Sequence, residues 1–426
     1  MIATILGLII SLSILIFVHE LGHYAAAKLS GIVVEEFGFG YPPRLLAFWR
    51  TKGKIVIDGQ EIVIPRSIKL PEGLQARSAV RYETETDSKG RLVLTRIQEV
   101  DPAAGQVGSG GYIEFLDPGT VFSLNAIPFG GFAKMLGEED PTFPGSLASK
   151  SKRTRVFVLS AGALMNLLTA VLFFALAFAL GGPAIADPQN AVVTTVAPGS
   201  PAEEVGLQPN DVILQADGVE ILAVADLPAY VQEHLGEPIR LTVRRGDEII
   251  EISVTPRLNP PPGEGAIGIG LAPRTTVQRY PLPQALWMGL QQTVRMAGFI
   301  FTVPIQIIKG LIPAELARPV GPVGVGQMVG DAVNYSLDTG WWFPVMQLMG
   351  SLSVALAVTN LLPLPGLDGG RILFIIVEGV RGRRVDPAKE GLVHLIGMAF
   401  LVALMLLITW QDLVNPLPAV DWSSLF

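Results

Sequence analysis

His19-Glu20-Leu21-Gly22-His23 follows without a break on residues 2–18, a run free of Lys, Arg, Asp and Glu. Together they read as one helix long enough to cross a bilayer. On a helix, His19 and His23 stand one turn apart on the same face. Two imidazoles so placed can ligate one zinc ion, and the Glu20 carboxylate can act as general base toward water. A structural zinc site normally closes with four protein ligands, so two His and a Glu favour the hydrolytic reading. A hydrolytic site on a membrane span needs substrates that also lie in the membrane. The first cationic residue is Lys28 and the motif lies inside the apolar run, which favours a retained helix over a cleaved signal peptide.

The 426 residues are 50% hydrophobic and 16% charged, with a mean hydropathy of +0.46. An integral membrane protein with sizeable extramembrane parts is expected. A net charge of −7 argues against nucleic acid as a partner. There is no Cys, so disulfides and thiolate metal sites are excluded and a metal must rest on His, Asp or Glu. The four His are His19, His23, His234 and His394. His394 reads as a helix-packing residue and His234 as a surface one.

Four segments are apolar enough to span: 2–27, 156–181, 345–362 and 392–410. Residues 283–312 carry polar residues around the helix and read as amphipathic and interfacial. Lys150, Lys152, Arg153 and Arg155 precede the second span. Arg371, Arg381, Arg383, Arg384 and Lys389 lie between the third and fourth. Residues 182–235 and the tail after Trp410 have neither Lys nor Arg. The positive-inside rule then makes the first-to-second and third-to-fourth loops cytoplasmic. The fold expected is a four-span α-helical membrane protein with a cytosolic β-rich region at 31–150 and an extracytoplasmic α+β module at 188–260. The regions bearing the spans are 1–30, 156–181, 343–370 and 390–411.

Two His leave a catalytic zinc site one protein ligand short. The best third ligand is Asp368, in Asn360-Leu361-Leu362-Pro363-Leu364-Pro365-Gly366-Leu367-Asp368-Gly369-Gly370. It is the carboxylate in or beside the third span, where an ionisable group is costly and usually functional. Pro363 and Pro365 break a regular helix, and the glycines permit the backbone to turn. By the charge-derived topology, Asp368 lies at the depth of His19 and His23.

These motifs resemble those of the site-2 proteases, the RseP-like intramembrane zinc metalloproteases. His19–His23 and Asn360–Gly370 match the two metal motifs of that family. Phe37-Gly38-Phe39-Gly40 with Pro43-Arg44-Leu45-Leu46 resembles its membrane-associated β-loop, and Ser123–Phe132 the strand that follows. Gly162-Ala163-Leu164-Met165-Asn166 resembles its second-span motif and Gly321-Pro322-Val323-Gly324 its G-P-V-G segment. Three departures stand out: the insertion at about 51–118, Ala163 where the family has Pro, and one PDZ-like module where some relatives have two.

The resemblance implies a Zn2+ endopeptidase of bacterial cytoplasmic membranes that cuts single-span proteins already shortened by another protease. Anti-sigma factors and remnant signal peptides are such substrates. It implies His19, His23 and Asp368 as ligands, Glu20 as base, and Asn360 as a bond to the substrate backbone or carbonyl. An extended substrate would add as a strand near Gly38, Phe39 and Gly40, or along Ser123–Gly131 with Asn125. Asn166 reads as an interhelical hydrogen-bonder or a neighbour of the site. The module at 188–260 resembles a PDZ domain through Asp211–Gly218, with Asn210 where that pattern has Gly. Peptide capture and size gating are both open to it. A silent scaffold has no need of Glu20 beside the ligands, and a zinc transporter would line several spans with polar groups.

Overall fold

Helix α1 (Ile2–Leu29) carries the His-Glu motif. A computed structural model describes residues 2–71, 73–100, 110–138, 140–182, 184–311, 318–418, 420 and 422. Two units emerge, Met1–Leu180 with Pro281–Trp422, and Gly181–Tyr280. In the first unit the chain leaves α1 as β1 (Val34–Arg50). It then forms a barrel of β2 (Gly53–Ile57), β3 (Gln60–Ile64), β4 (Ala79–Thr86), β5 (Leu92–Glu99) and β6 (Gly110–Asp117). It returns as β7 (Val121–Met135).

The barrel closes in the order β2-β3-β5-β4-β6. Its alternating strands turn Ile55, Ile57, Ile62, Ile64, Leu94 and Ile113 inward, all essentially unexposed. Asp58 and Gly59 both take positive φ, the two-residue hairpin turn that fits the strand twist. This barrel is the insertion. Its two ends meet: Thr51 N donates to Thr120 O at 2.9 Å and Thr120 N to Thr51 Oγ1 at 2.8 Å. Replacing residues 52–119 by a short Gly-Ser turn is therefore expected to preserve the β1–β7 pairing. Metal content of the shortened chain should match the parent's.

Strands β1 and β7 are each folded on themselves. Gly38 pairs with both Phe132 and Ser123, and Phe39 with both Gly131 and Leu124. The Phe37–Phe39 stretch is thus the middle of a small sheet, with the later part of β7 on one side and its earlier part on the other.

Helix α2 (Lys152–Gly181) leads into the second unit. There β8 (Ala184–Val196), the short helix α3 (Pro201–Glu204), β9 (Val212–Ala216) and β10 (Val219–Glu220) are followed by helix α4 (Asp226–Glu233). Strands β11 (Ile239–Arg245), β12 (Glu248–Val254) and β13 (Ile269–Val277) complete it, in the order β12-β11-β9-β8-β13. The module thus runs past its expected end at 260. Pro260–Gly263 is a turn within it, after which β13 adds beside β8. Asn210 sits at φ 74, the left-handed conformation that Gly fills elsewhere and Asn tolerates.

Asp211 is a buried organiser of this module. Its carboxylate accepts from Arg245 Nε at 2.8 Å, Arg245 Nη2 at 2.7 Å and Gln208 N at 2.9 Å. Burial pushes this carboxyl up, but those donors outweigh it and hold its pKa below the ordinary value. The stability this adds is complete above the unfolded pKa near 3.9 and is lost as pH falls through the lower folded value. Asp211→Asn is expected to cost about 2 kcal/mol. Faster hydrogen exchange across β9 and β11 would report it.

The remaining helices are α5 (Leu282–Ile308), α6 (Pro322–Thr339), α7 (Phe343–Leu361), α8 (Asp368–Arg381) and α9 (Pro387–Val414). Among the described residues four helices are long and apolar enough to cross a membrane: Leu6–Leu29, Lys152–Gly181, Phe343–Leu361 and Pro387–Val414. Residue 312, the expected end of the amphipathic helix, lies outside the described residues. The expected third region, 343–370, is two helices. Pro363 and Pro365 stop α7, and Asp368 opens α8. Helix α6 was not anticipated beyond its Gly321–Gly324 start. It packs on α1, α7 and α9. Asp412 of α9 is fully buried and accepts from Gly321 N at 2.9 Å and Gly324 N at 2.8 Å, a negative charge at the α6 N-terminus.

Candidate metal centre

Helix α1 places both imidazoles toward α2, and the glycine pair after Asp368 brings the start of α8 to them. A side chain at Gly369 would meet Leu362 O at 2.2 Å, so only Gly lets α8 fold back this tightly on the end of α7. The result is a cluster from distant parts of the chain. Asp368 Oδ2 lies 3.1 Å from His19 Nε2 and 3.2 Å from His23 Nε2, and the two Nε2 atoms are 3.1 Å apart. His19 and His23 are 7% and 5% exposed.

The outer nitrogens fix what the inner ones can do. His23 Nδ1–H donates to Val158 O at 2.9 Å, which leaves Nε2 as a bare lone pair. His19 Nδ1 faces the Asn166 side-chain amide at 3.4 Å, in a fully buried position. The Asn166 carbonyl oxygen otherwise has no partner. It is the group able to accept the Nδ1 proton that a metal-binding His19 requires. Asn166 is itself held by Ser353 Oγ, which donates to its backbone carbonyl at 2.7 Å.

With both Nε2 atoms unprotonated, two lone pairs and a carboxylate oxygen converge on one point, an arrangement that a bound cation stabilises. Donors placed about 2.0–2.1 Å from a tetrahedral ion stand about 3.3 Å apart, so the observed spacing suits zinc. These three residues are the group of possible metal ligands among the described residues.

Glu20 lies outside the ligand group. Its Oε2 accepts from Ala133 N at 3.1 Å, which ties α1 to β7. His19, Glu20, His23, Ala133, Asn166 and Asp368 line one cavity of about 500 Å3, along with Tyr41, Met135, Asn360, Arg371 and His394. Asn360 is therefore brought to the site.

The expected strand-addition residues are not. Gly38 and Phe39 are already paired on both sides, so neither offers a free edge. A side chain at Gly38 would meet the Phe132 ring at 2.4 Å, and one at Gly40 would meet Ile127 O at 2.4 Å. Asn125 is buried, and its Nδ2 donates to Gly40 O at 3.2 Å and Ser123 Oγ at 3.2 Å. It braces the β-loop. The edge that reaches the cavity belongs to the end of β7, through Ala133 and Met135. No strand pairs with that side among the described residues. A second anchor of the loop is Glu36, which accepts from Arg44 Nε at 2.9 Å and Ser123 Oγ at 2.6 Å. Burial raises this carboxyl, yet those two donors prevail and hold it below the usual range.

In the module, α4 and residues 265–271 border a separate cavity of about 140 Å3 lined by Leu227, Val231, Ile267 and Ile269.

Comparison with known proteins agrees over most of the length. The chain is 31% identical over 412 residues to a putative zinc metalloprotease of Clostridium perfringens, covering 96% of this chain and 98% of that one. It is 29% identical over 430 residues to the zinc metalloprotease RasP of Geobacillus kaustophilus, covering 96% and 97%. It is 29% identical over 440 residues to a probable protease, eep, of Enterococcus faecalis, covering 96% and 98%. Among solved structures, the PDZ domain of an SdrC-like protein from Listeria monocytogenes is 22% identical, spanning 20% of this chain and 88% of that one with a TM-score of 0.18. The model of peptidase family M50 matches residues 7–57 and 92–404, passing over much of the barrel. The chain belongs to peptidase family M50.

Proposed function

We propose that this chain is a zinc endopeptidase that cuts the membrane-spanning segments of single-span proteins. The observation that carries the reading is the convergence of His19, His23 and Asp368 beside Glu20, with both imidazoles and Glu20 on a helix apolar enough to span. Zinc held there would acidify water and polarise the scissile carbonyl. Glu20 takes the proton of the attacking water and delivers it to the leaving nitrogen. Asn360, in the same cavity, hydrogen-bonds the substrate carbonyl or backbone. The substrate helix unwinds and pairs as a strand with the Ala133–Met135 edge, displacing Glu20 from Ala133 N, and this replaces the hydrogen bonds it gives up.

The site lies toward the cytoplasmic side of a bacterial cytoplasmic membrane in this reading. Its support is the positive-inside pattern and the meeting of two basic runs: Arg155 and Arg384 lie 2.7 Å and 3.7 Å from the same Glu378. The PDZ-like module is then extracytoplasmic. Its edge strand β13 and the apolar cavity beside α4 favour capture of an extended peptide over gating alone. Substrates shortened by a first protease, anti-sigma-factor-like proteins or remnant signal peptides, fit that arrangement.

The test is cleavage of a truncated single-span reporter by the full chain in lipid discs, with the cut mapped by mass spectrometry. A cut inside the apolar segment that a zinc chelator abolishes is the expected result. Cutting only in soluble flanks, or cutting that survives chelation, would overturn the reading.

A further inference from the structure

Asp368 follows a tight loop, residues 362–367, that contains two prolines. Pro363 and Pro365 lack N–H groups, and Leu364 N and Leu367 N bond within the loop, to Leu362 O at 2.7 Å and Leu364 O at 3.2 Å, so few donors reach beyond it. Gly366 supplies one, and its N–H donates to His394 Nδ1 at 2.9 Å. Gly366 holds a φ of 94, open to Gly alone at no cost. One turn further along α9, a side chain at Gly397 would meet the Pro365 Cβ at 2.3 Å and Pro365 O at 2.5 Å. The His394 ring also lies 5.4 Å from that of Phe374 on α8. One patch of α9 thus touches both the loop before Asp368 and the helix that Asp368 starts.

The neighbours of this patch on α9 face outward: Leu395 and Ile396 are 66% and 61% exposed. The buried anchor of the helix, Asp412, is eighteen residues away, about 27 Å at the rise of an α-helix. The contact at His394 is therefore not part of that anchor.

We propose that His394 is a positioning residue for the third metal ligand. Its Nδ1 holds the Pro365–Gly366 backbone where the Asp368 carboxylate reaches both imidazoles. His394 is not itself a ligand, since it stands outside the three-atom group. The inference rests on the zinc endopeptidase reading.

The test compares His394→Leu, which keeps bulk and removes the acceptor, with His394→Asn, whose side-chain oxygen falls near the place of Nδ1. Zinc affinity of the full chain in lipid discs is measured by chelator competition, with cleavage and thermal stability alongside. The Leu variant is expected to bind zinc about tenfold more weakly, the scale of a lost outer-shell bond. The Asn variant is expected to stay near the parent. Parental affinity in the Leu variant, or equal losses in both, would overturn the role of His394 while leaving the parent's zinc site standing. A parent that binds no zinc would overturn the underlying reading as well.

Discussion

Glu20→Gln is expected to lower cleavage by about 10²–10⁴-fold, the range of a positioned general base, while zinc content stays at the parental level. The amide keeps an oxygen able to accept from Ala133 N, so the tie between α1 and β7 persists. The ligand atoms belong to His19, His23 and Asp368, and none is touched. What disappears is the basic site that takes a proton from water. Cleavage kinetics and metal analysis on one preparation check both halves. Loss of zinc together with activity would place Glu20 among the ligands instead.

Gly162→Ala is expected to empty the metal site and abolish cleavage. A Cβ there would lie 2.4 Å from His23 Nε2 and 2.6 Å from His19 Nε2, inside the space the ligand atoms share. Relief by moving the helices apart would open the close α1–α2 contact, where a side chain at Gly22 would meet Ala161 O at 2.4 Å. Turning the rings away would break the His23 bond to Val158 O. Zinc affinity should fall by at least about 100-fold, the upper end of what outer-shell changes cost. Leu168→Ala, on the same helix but 65% exposed, is the control and should leave both properties unchanged. Zinc content measured beside cleavage decides the outcome, and a Gly162→Ala protein with full zinc would show that the imidazoles face elsewhere.

The reactive part of the site was legible because its chemistry is local. H-E-x-x-H encodes its own geometry through helical spacing, and a lone carboxylate after two prolines at a span end stands out. The four span-length helices follow from apolar run length alone. What was not legible depends on pairing between distant segments. Gly38, Phe39 and Gly40 look like a flexible edge in sequence, yet their strand is central because β1 and β7 each double back. Ala133 and Met135, on the edge that meets the cavity, carry no chemical signal at all. Asn166 was visible as a polar residue in an apolar helix, but only the packing of α1 on α2 shows that it faces His19. Helix α8 and strand β13 were hidden because each follows a Pro-rich stretch, Pro363–Pro365 and Pro260–Gly263, beyond which regular structure resumes.

The most direct test of the account is X-ray absorption at the zinc edge on the full chain, paired with metal content for His19→Ala, His23→Ala and Asp368→Ala. One zinc per chain, with two imidazole nitrogens and carboxylate oxygen at about 2.0–2.2 Å, lost in each variant, is the predicted result. Zinc retained at parental stoichiometry and with an unchanged spectrum in any of the three would contradict it.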